Sequence, residues 1–396
     1  MKLGEKFMIS LNTDYSELYQ QIKNIENHFL DCNSLNSKAI YYGIYQNLVN
    51  FYYLATLEDP CDKRVNQNKH ILYSGIERLN SFYNKRVTQF ILNQDSHRSY
   101  ISSCFFDFSD CLDEFVNSDY YNCISEQEMP IISADEGFDI LFSFFDECCP
   151  NLGDLFRYYL DGDKFFMLPQ SDFFANRSGC SLYNPIENIS NVFLLPSINS
   201  LELLSLLVHE LSHVEDVNLY TLKASPVNTS LYQIQSPFCE VPAFYNQFRF
   251  YEFLLKNQIF EGDVLVDFVN NLAVGAESMD NLLLFSLYPP KKLKKQSSYL
   301  AKNDILTAIL KENQEHYPIE FEDSLIIDEY ISLDDSISYS YGPLLALAML
   351  DDPKLYNKFS MIRGNYFDSD MLTSIGLGQD DVKQKVLKKC NDFFDR

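Results

Sequence analysis

His209-Glu210-Leu211-Ser212-His213 constrains this chain more than any other stretch. The two histidines are four residues apart and follow the apolar run Leu203-Leu204-Ser205-Leu206-Leu207-Val208. On a helix, residues four apart lie one turn above each other on one face. Two imidazoles so placed can chelate one zinc ion, while Glu210 points about a quarter turn away, toward a water rather than the metal. The spacing therefore predicts a buried helix from Ser200 to about Val217. Asn199, with Glu202 three residues on, offers it a capping box.

The segments around that helix set the fold class. Residues 13–125 carry apolar residues at three- and four-residue spacing, clearest over 36–56 and 69–92, with few glycines or prolines. That pattern predicts a helical N-terminal region, residues 1–125. A break at 126–133, containing Pro130, separates it from a second region, 126–396. Within the latter, 135–147 reads as a helix stopped at Pro150, and Asp161-Gly162-Asp163 as a polar turn. Residues 176–181 also read as a turn. Val192-Phe193-Leu194-Leu195, ended by Pro196, is the best strand in the chain. The order edge strand, tight loop and motif helix is the usual layout of zinc peptidases, in which the strand pairs with an extended substrate.

Composition narrows the partners. Of 396 residues, 46% are hydrophobic, so the chain can bury a large core. The net charge of −25 repels nucleic acid and anionic membranes. It would favour neutral or basic ligands, though solubility alone accounts for it equally well. The single basic run, 291–295, is too short and isolated for a nucleic-acid patch. No apolar stretch is long enough to span a bilayer. Ten scattered cysteines without a C-x-x-C pair, and an N-terminus lacking the apolar core of a secretion signal, predict a reduced, cytoplasmic protein. The oligomeric state is left open.

Two histidines do not complete a catalytic zinc site, which takes three protein ligands and leaves one position open. Asp216 is too close along the helix to close a tetrahedron. It or Glu215 suits a supporting role, accepting an imidazole N–H. Glu240, which opens the helical segment 240–248, is the better third ligand. A carboxylate there would also be favoured by the helix dipole. The adjacent Cys239 reads as a small core thiol.

The chain resembles the thimet oligopeptidase and oligoendopeptidase F family of zinc peptidases, on more than the five-residue motif. Residues 135–141 are similar to the family's helix ahead of the site, and Arg177-Ser178-Gly179-Cys180 to its Arg-Ser-Gly-Ala turn. Residues 193–195 sit where its substrate strand would sit. Residues 240–255 resemble its third-ligand helix, and 339–346 its tyrosine-rich segment facing the zinc. Residues 363–365, 371–372 and 376–377 resemble its C-terminal segment. The likeness covers roughly residues 126–396. Ser212 stands where the family has glycine, no histidine follows His316, and the N-terminal region is short for the family.

The resemblance implies a mainly α, multi-helical fold of the His₂Glu (gluzincin) type, with a small edge β-sheet beside the motif helix. It implies a zinc endopeptidase of oligopeptides, with one Zn²⁺ held by His209, His213 and Glu240 and with Glu210 as general base. Tyr341, then Tyr339, is the expected donor to the oxyanion. Two other readings stay open: a metalloprotease with one protein target, and an inactive relative that binds peptides without cutting them.

Overall fold

The computed structural model describes residues 15–31, 94–125, 131–162, 165–167, 179–184, 189–194, 200–222, 236–286, 333–363 and 369–394, with isolated positions between 41 and 75. Asn199, Arg177, Ser178, Leu195, the basic run 291–295, His316 and most of the expected helices 36–56 and 69–92 lie outside the described residues.

The architecture is helical with one small sheet. Ahead of the sheet come α1 (Tyr15–Asp31), α2 (Gln94–Val116), α3 (Asp119–Ser125), α4 (Ala134–Cys148) and α5 (Pro150–Asp161). The strands are β1 (Phe165–Met167), β2 (Gly179–Asn184) and β3 (Ile189–Leu194). After them come α6 (Ser200–Thr221), α7 (Val241–Lys256), α8 (Glu261–Ser286), α9 (Leu333–Met349), α10 (Pro353–Ile362), α11 (Ser369–Ser374) and α12 (Gln379–Phe394). No described helix is long and apolar enough to cross a membrane.

Local chemistry sets these boundaries. Ser133 caps α4 by accepting from the Glu136 amide at 3.2 Å. Pro150 ends α4 and starts α5, since the first turn of a helix needs no amide donor. Asp161 closes α5, with Gly162 as its C-cap.

The motif helix α6 is buried on nearly every side, with Leu204, Leu207, Val208, Leu211 and Val214 inaccessible. A helix apolar all round belongs in the middle of a protein. Here α7 crosses one flank, while β2, β3 and α5 pack along others. Behind α7, α8 and α9 pack together, and α2 packs on α8 and α12. The core thus runs continuously from Tyr100 on α2 to Phe393 on α12, across the expected boundary at residue 125. Buried tyrosines tie its parts together, because a buried hydroxyl needs a partner. Tyr159 of α5 donates to the Ser190 carbonyl of β3 at 2.7 Å, and Tyr100 to the Leu377 carbonyl at 2.6 Å.

The sheet corrects two expectations. Its order is β1-β3-β2, with β1 parallel and β2 antiparallel to β3. The strand at 189–194 is therefore central rather than an edge. Ser190, Asn191 and Val192 are all buried, so both faces of the strand are covered there. The second correction concerns 176–181. Gly179, Cys180 and Ser181 are not a turn but the start of β2, which like β1 is an edge strand among the described residues.

Candidate metal centre

Helix geometry brings His209 and His213 together as their spacing requires, and α7 delivers the third group. Glu240 immediately precedes α7 and makes no capping bond with its side chain. Pro242, in the first turn, needs no acceptor for an amide it lacks. Nε2 of His209 and Nε2 of His213 are 3.2 Å apart, and each is 3.3 Å from Oε2 of Glu240. Among the described residues, these three form a group able to hold a metal ion.

The triangle fits zinc. Ligand atoms at about 2.0–2.1 Å from a tetrahedral ion lie roughly 3.3 Å from one another. The polar balance fits as well. Oε2 of Glu210 is a buried acceptor with no hydrogen bond, and Oε2 of Glu240 is buried against the two imidazoles, an arrangement that a cation would relieve. Burial would raise the Glu240 pKa, but His213 and His209 outweigh it and hold the carboxyl below the usual range. Burial would lower the His213 pKa, but the Glu240 carboxylate outweighs it and pushes the imidazole up to about 9. The metal-free site thus holds a proton that a cation would displace.

Each group has a support. Nδ1 of His209 lies 2.9 Å from Oε1 of Gln247, two turns into α7, and the Phe244 ring meets the imidazole edge-on at 5.1 Å. His213 is hydrogen-bonded to the main-chain carbonyl of Cys239, so that residue serves the site through its backbone. Glu210 has a raised pKa, chiefly from burial and partly offset by His213 and His209, and Ser181 of β2 hydrogen-bonds to it. Gln247 and Ser181 were not among the expected site residues. Gln247 carried a signal, since it follows Glu240 by seven residues and so shares its helix face.

The expected support from Asp216 is not found. Its carboxylate pairs with the Arg363 guanidinium instead. Glu215 is part of the same buried charge group, its pKa raised by burial and lowered by Arg363 and Arg249.

The tyrosines are placed differently from their expected order. Tyr341 is fully buried, its ring against Tyr100 and Phe238 at 5.8 and 5.5 Å, and burial holds its hydroxyl pKa well above normal. Tyr339 is half-buried, with its ring 6.1 Å from Phe244. Helical spacing explains the difference. Tyr339 shares a face with Gly342, three residues on, and Gly342 lies directly against Glu240 and Phe244. Tyr341 points about 100° away, into the core.

Gly342 is required by this close approach. A Cβ there would sit 2.6 Å from Phe244 Cδ2 and 2.9 Å from Glu240 Cβ. Gly342→Ala is expected to destabilise the protein by about 1–3 kcal/mol and to weaken metal binding by displacing Glu240. Thermal melting and a zinc titration check this. Wild-type values in both would mean that α9 moves aside freely.

No protein-family model matches the chain, and no curated protein matches it. Solved structures do. A putative oligoendopeptidase F matches with a TM-score of 0.53 at 10% identity, over 100% of this chain and 99% of that one. This chain thus shares its overall helical fold with a structure described as a putative oligoendopeptidase F. PZ peptidase A with inhibitor 2 matches with a TM-score of 0.48 at 11% identity, over 100% of this chain and 99% of that one. A putative peptidase from Chlamydophila abortus matches with a TM-score of 0.43 at 14% identity. That match covers 91% of this chain and 62% of the other, so this chain spans less than two thirds of that protein's length.

Proposed function

We propose that the protein is a zinc-dependent endopeptidase that hydrolyses peptide bonds in oligopeptides. The observation that carries this reading is the triangle of His209, His213 and Glu240, with Glu210 buried beside it. His209, His213 and Glu240 would hold one Zn²⁺. When bound, the ion would acidify a water and polarise the scissile carbonyl.

The chain's own groups do the rest. Glu210 accepts the proton of the attacking water and returns it to the leaving nitrogen. Its raised pKa suits a group that must do both, and Ser181 keeps one carboxylate oxygen oriented. The open edge of β2 offers main-chain hydrogen bonds to an extended peptide, which Ser181 would bring into register beside Glu210. Tyr339, rather than Tyr341, is the donor for the oxygen that gains charge, because Tyr339 lies on the face of α9 that meets Glu240 and Phe244.

The test is metal removal. The protein is expected to bind about one zinc per chain and to cut many members of a mixed short-peptide library. A chelator should stop cleavage, and added zinc should restore it. A zinc-loaded protein that leaves every peptide intact would overturn the reading. Cleavage of a single folded protein in a parallel panel, with the peptides untouched, would favour a one-target protease.

A further inference from the structure

Behind the metal centre runs a buried polar chain that neither the triangle nor Glu210 requires. Gln247, Tyr251, Asp267 and Ser205 are all buried, and they link α6, α7 and α8 through hydrogen bonds. We propose that Gln247, Tyr251 and Asp267 form a positioning relay that dictates which nitrogen of His209 carries its proton. The inference rests on the metal-centre reading above and adds residues that touch neither metal nor substrate.

The direction of each bond is fixed by the one before it. Asn271 Nδ2 donates to the Asp267 main-chain carbonyl at 2.7 Å, an acceptor that cannot donate. That fixes the orientation of the Asn271 amide. The same nitrogen lies 2.9 Å from the Tyr251 hydroxyl and can only donate to it. The Tyr251 proton therefore goes elsewhere, to Asp267 Oδ2 at 2.7 Å. Ser205 Oγ donates to that same carboxylate oxygen at 2.7 Å. Burial raises the Asp267 pKa, and these two bonds oppose it.

The relay then turns toward the metal. Gln247 Nε2 donates to the Tyr251 hydroxyl at 2.9 Å, so Tyr251 accepts two bonds and gives one. With its nitrogen committed there, Gln247 presents Oε1 to His209 Nδ1 at 2.9 Å. An amide oxygen only accepts, so Nδ1 must carry the proton. The lone pair of His209 is left on Nε2, the atom 3.2 Å from His213 Nε2 and 3.3 Å from Glu240 Oε2. A flipped Gln247 would set an amide N–H against the ring and favour the tautomer that cannot bind metal through Nε2.

The arrangement has a distinctive consequence. The group touching this imidazole is a neutral amide, and the nearest carboxylate of the relay stands two hydrogen bonds further back. The relay orients the ring and assigns its proton without placing a full negative charge on it. Its members act in series, so breaking any link should produce the same defect.

The experiment measures zinc affinity by competition with a chromophoric chelator, using the full chain stripped of metal. Gln247→Leu is expected to weaken zinc binding by about 10- to 100-fold. Tyr251→Phe, which keeps the ring's shape, should also weaken it by freeing the amide to flip. The double variant should bind zinc no more weakly than Gln247→Leu alone, because the links are in series. Gln247→Glu, which keeps an acceptor oxygen at His209, should retain zinc. Melting temperatures of the zinc-free forms show whether a loss of affinity merely follows a loss of fold. Additive losses in the double variant, or wild-type zinc affinity in Tyr251→Phe, overturn the relay. Wild-type protein that binds no zinc, or a His213→Ala variant that binds it equally well, overturns the metal centre itself, a separate result.

Discussion

Glu210→Gln is expected to lower peptide turnover by about 10²- to 10⁴-fold while the bound zinc stays at the wild-type level. The two halves of this result come from different features. Glu210 is not a member of the triangle of possible ligand atoms, so exchanging one carboxylate oxygen for an amide leaves the metal group complete. The same exchange removes the proton acceptor. Burial raises the Glu210 pKa, which suits it to return a proton as well as take one, and an amide does neither. Glutamine is nearly isosteric, so the fold should tolerate it. The measurement pairs kcat/KM on a quenched peptide library with metal analysis of the same preparations. Unchanged turnover would remove Glu210 from the chemistry. Zinc lost together with activity would make it a ligand instead of a base.

Much of this centre is legible in the sequence, and the residues that are not share a reason. His209 and His213 declare themselves because one helix carries both, and four-residue spacing has one geometric meaning. Glu240 follows because two imidazoles need a third ligand and a new helix opens there. The errors arise where a partner comes from another part of the chain. Asp216 follows His209 by seven residues and so has the right face for a supporting role, yet Arg363, far downstream, takes its charge. Tyr341 reads ahead of Tyr339 until Gly342 shows which face of α9 meets Glu240. The strand expected at 192–195 reads as an edge because a short apolar run does not say what pairs on either side of it. The helical class, in contrast, follows from periodicity repeated over many segments, so no single misplaced partner disturbs it.

Arg363→Met is expected to destabilise the zinc-free protein by about 3–5 kcal/mol, the largest stability effect we foresee from one side chain. Arg363 directly follows α10, and its side chain is 6% exposed; the Asp216 side chain, one turn beyond His213 on α6, is 2% exposed. Burial lowers the Arg363 pKa to about 10, with Glu215 opposing the shift, so the guanidinium stays charged at neutral pH. Removing it strands the Asp216 carboxylate without its cation and takes one of two compensating arginines from Glu215. A buried charge left alone costs far more than the pair contributes when intact. A cavity of about 350 Å³ lined by Glu215, Arg249 and Tyr356 opens beside the pair. Water entering it would bring the loss toward the lower end of the range. Urea unfolding of wild type, Arg363→Met and the double variant Asp216→Asn/Arg363→Met separates the two contributions. The double variant should recover much of the loss, since it removes the stranded charge along with its partner. A single variant within about 0.5 kcal/mol of wild type would mean that the pair does not anchor α10 to the motif helix. A double variant no better than the single would place the cost in lost packing of the arginine stem rather than in the charge left behind.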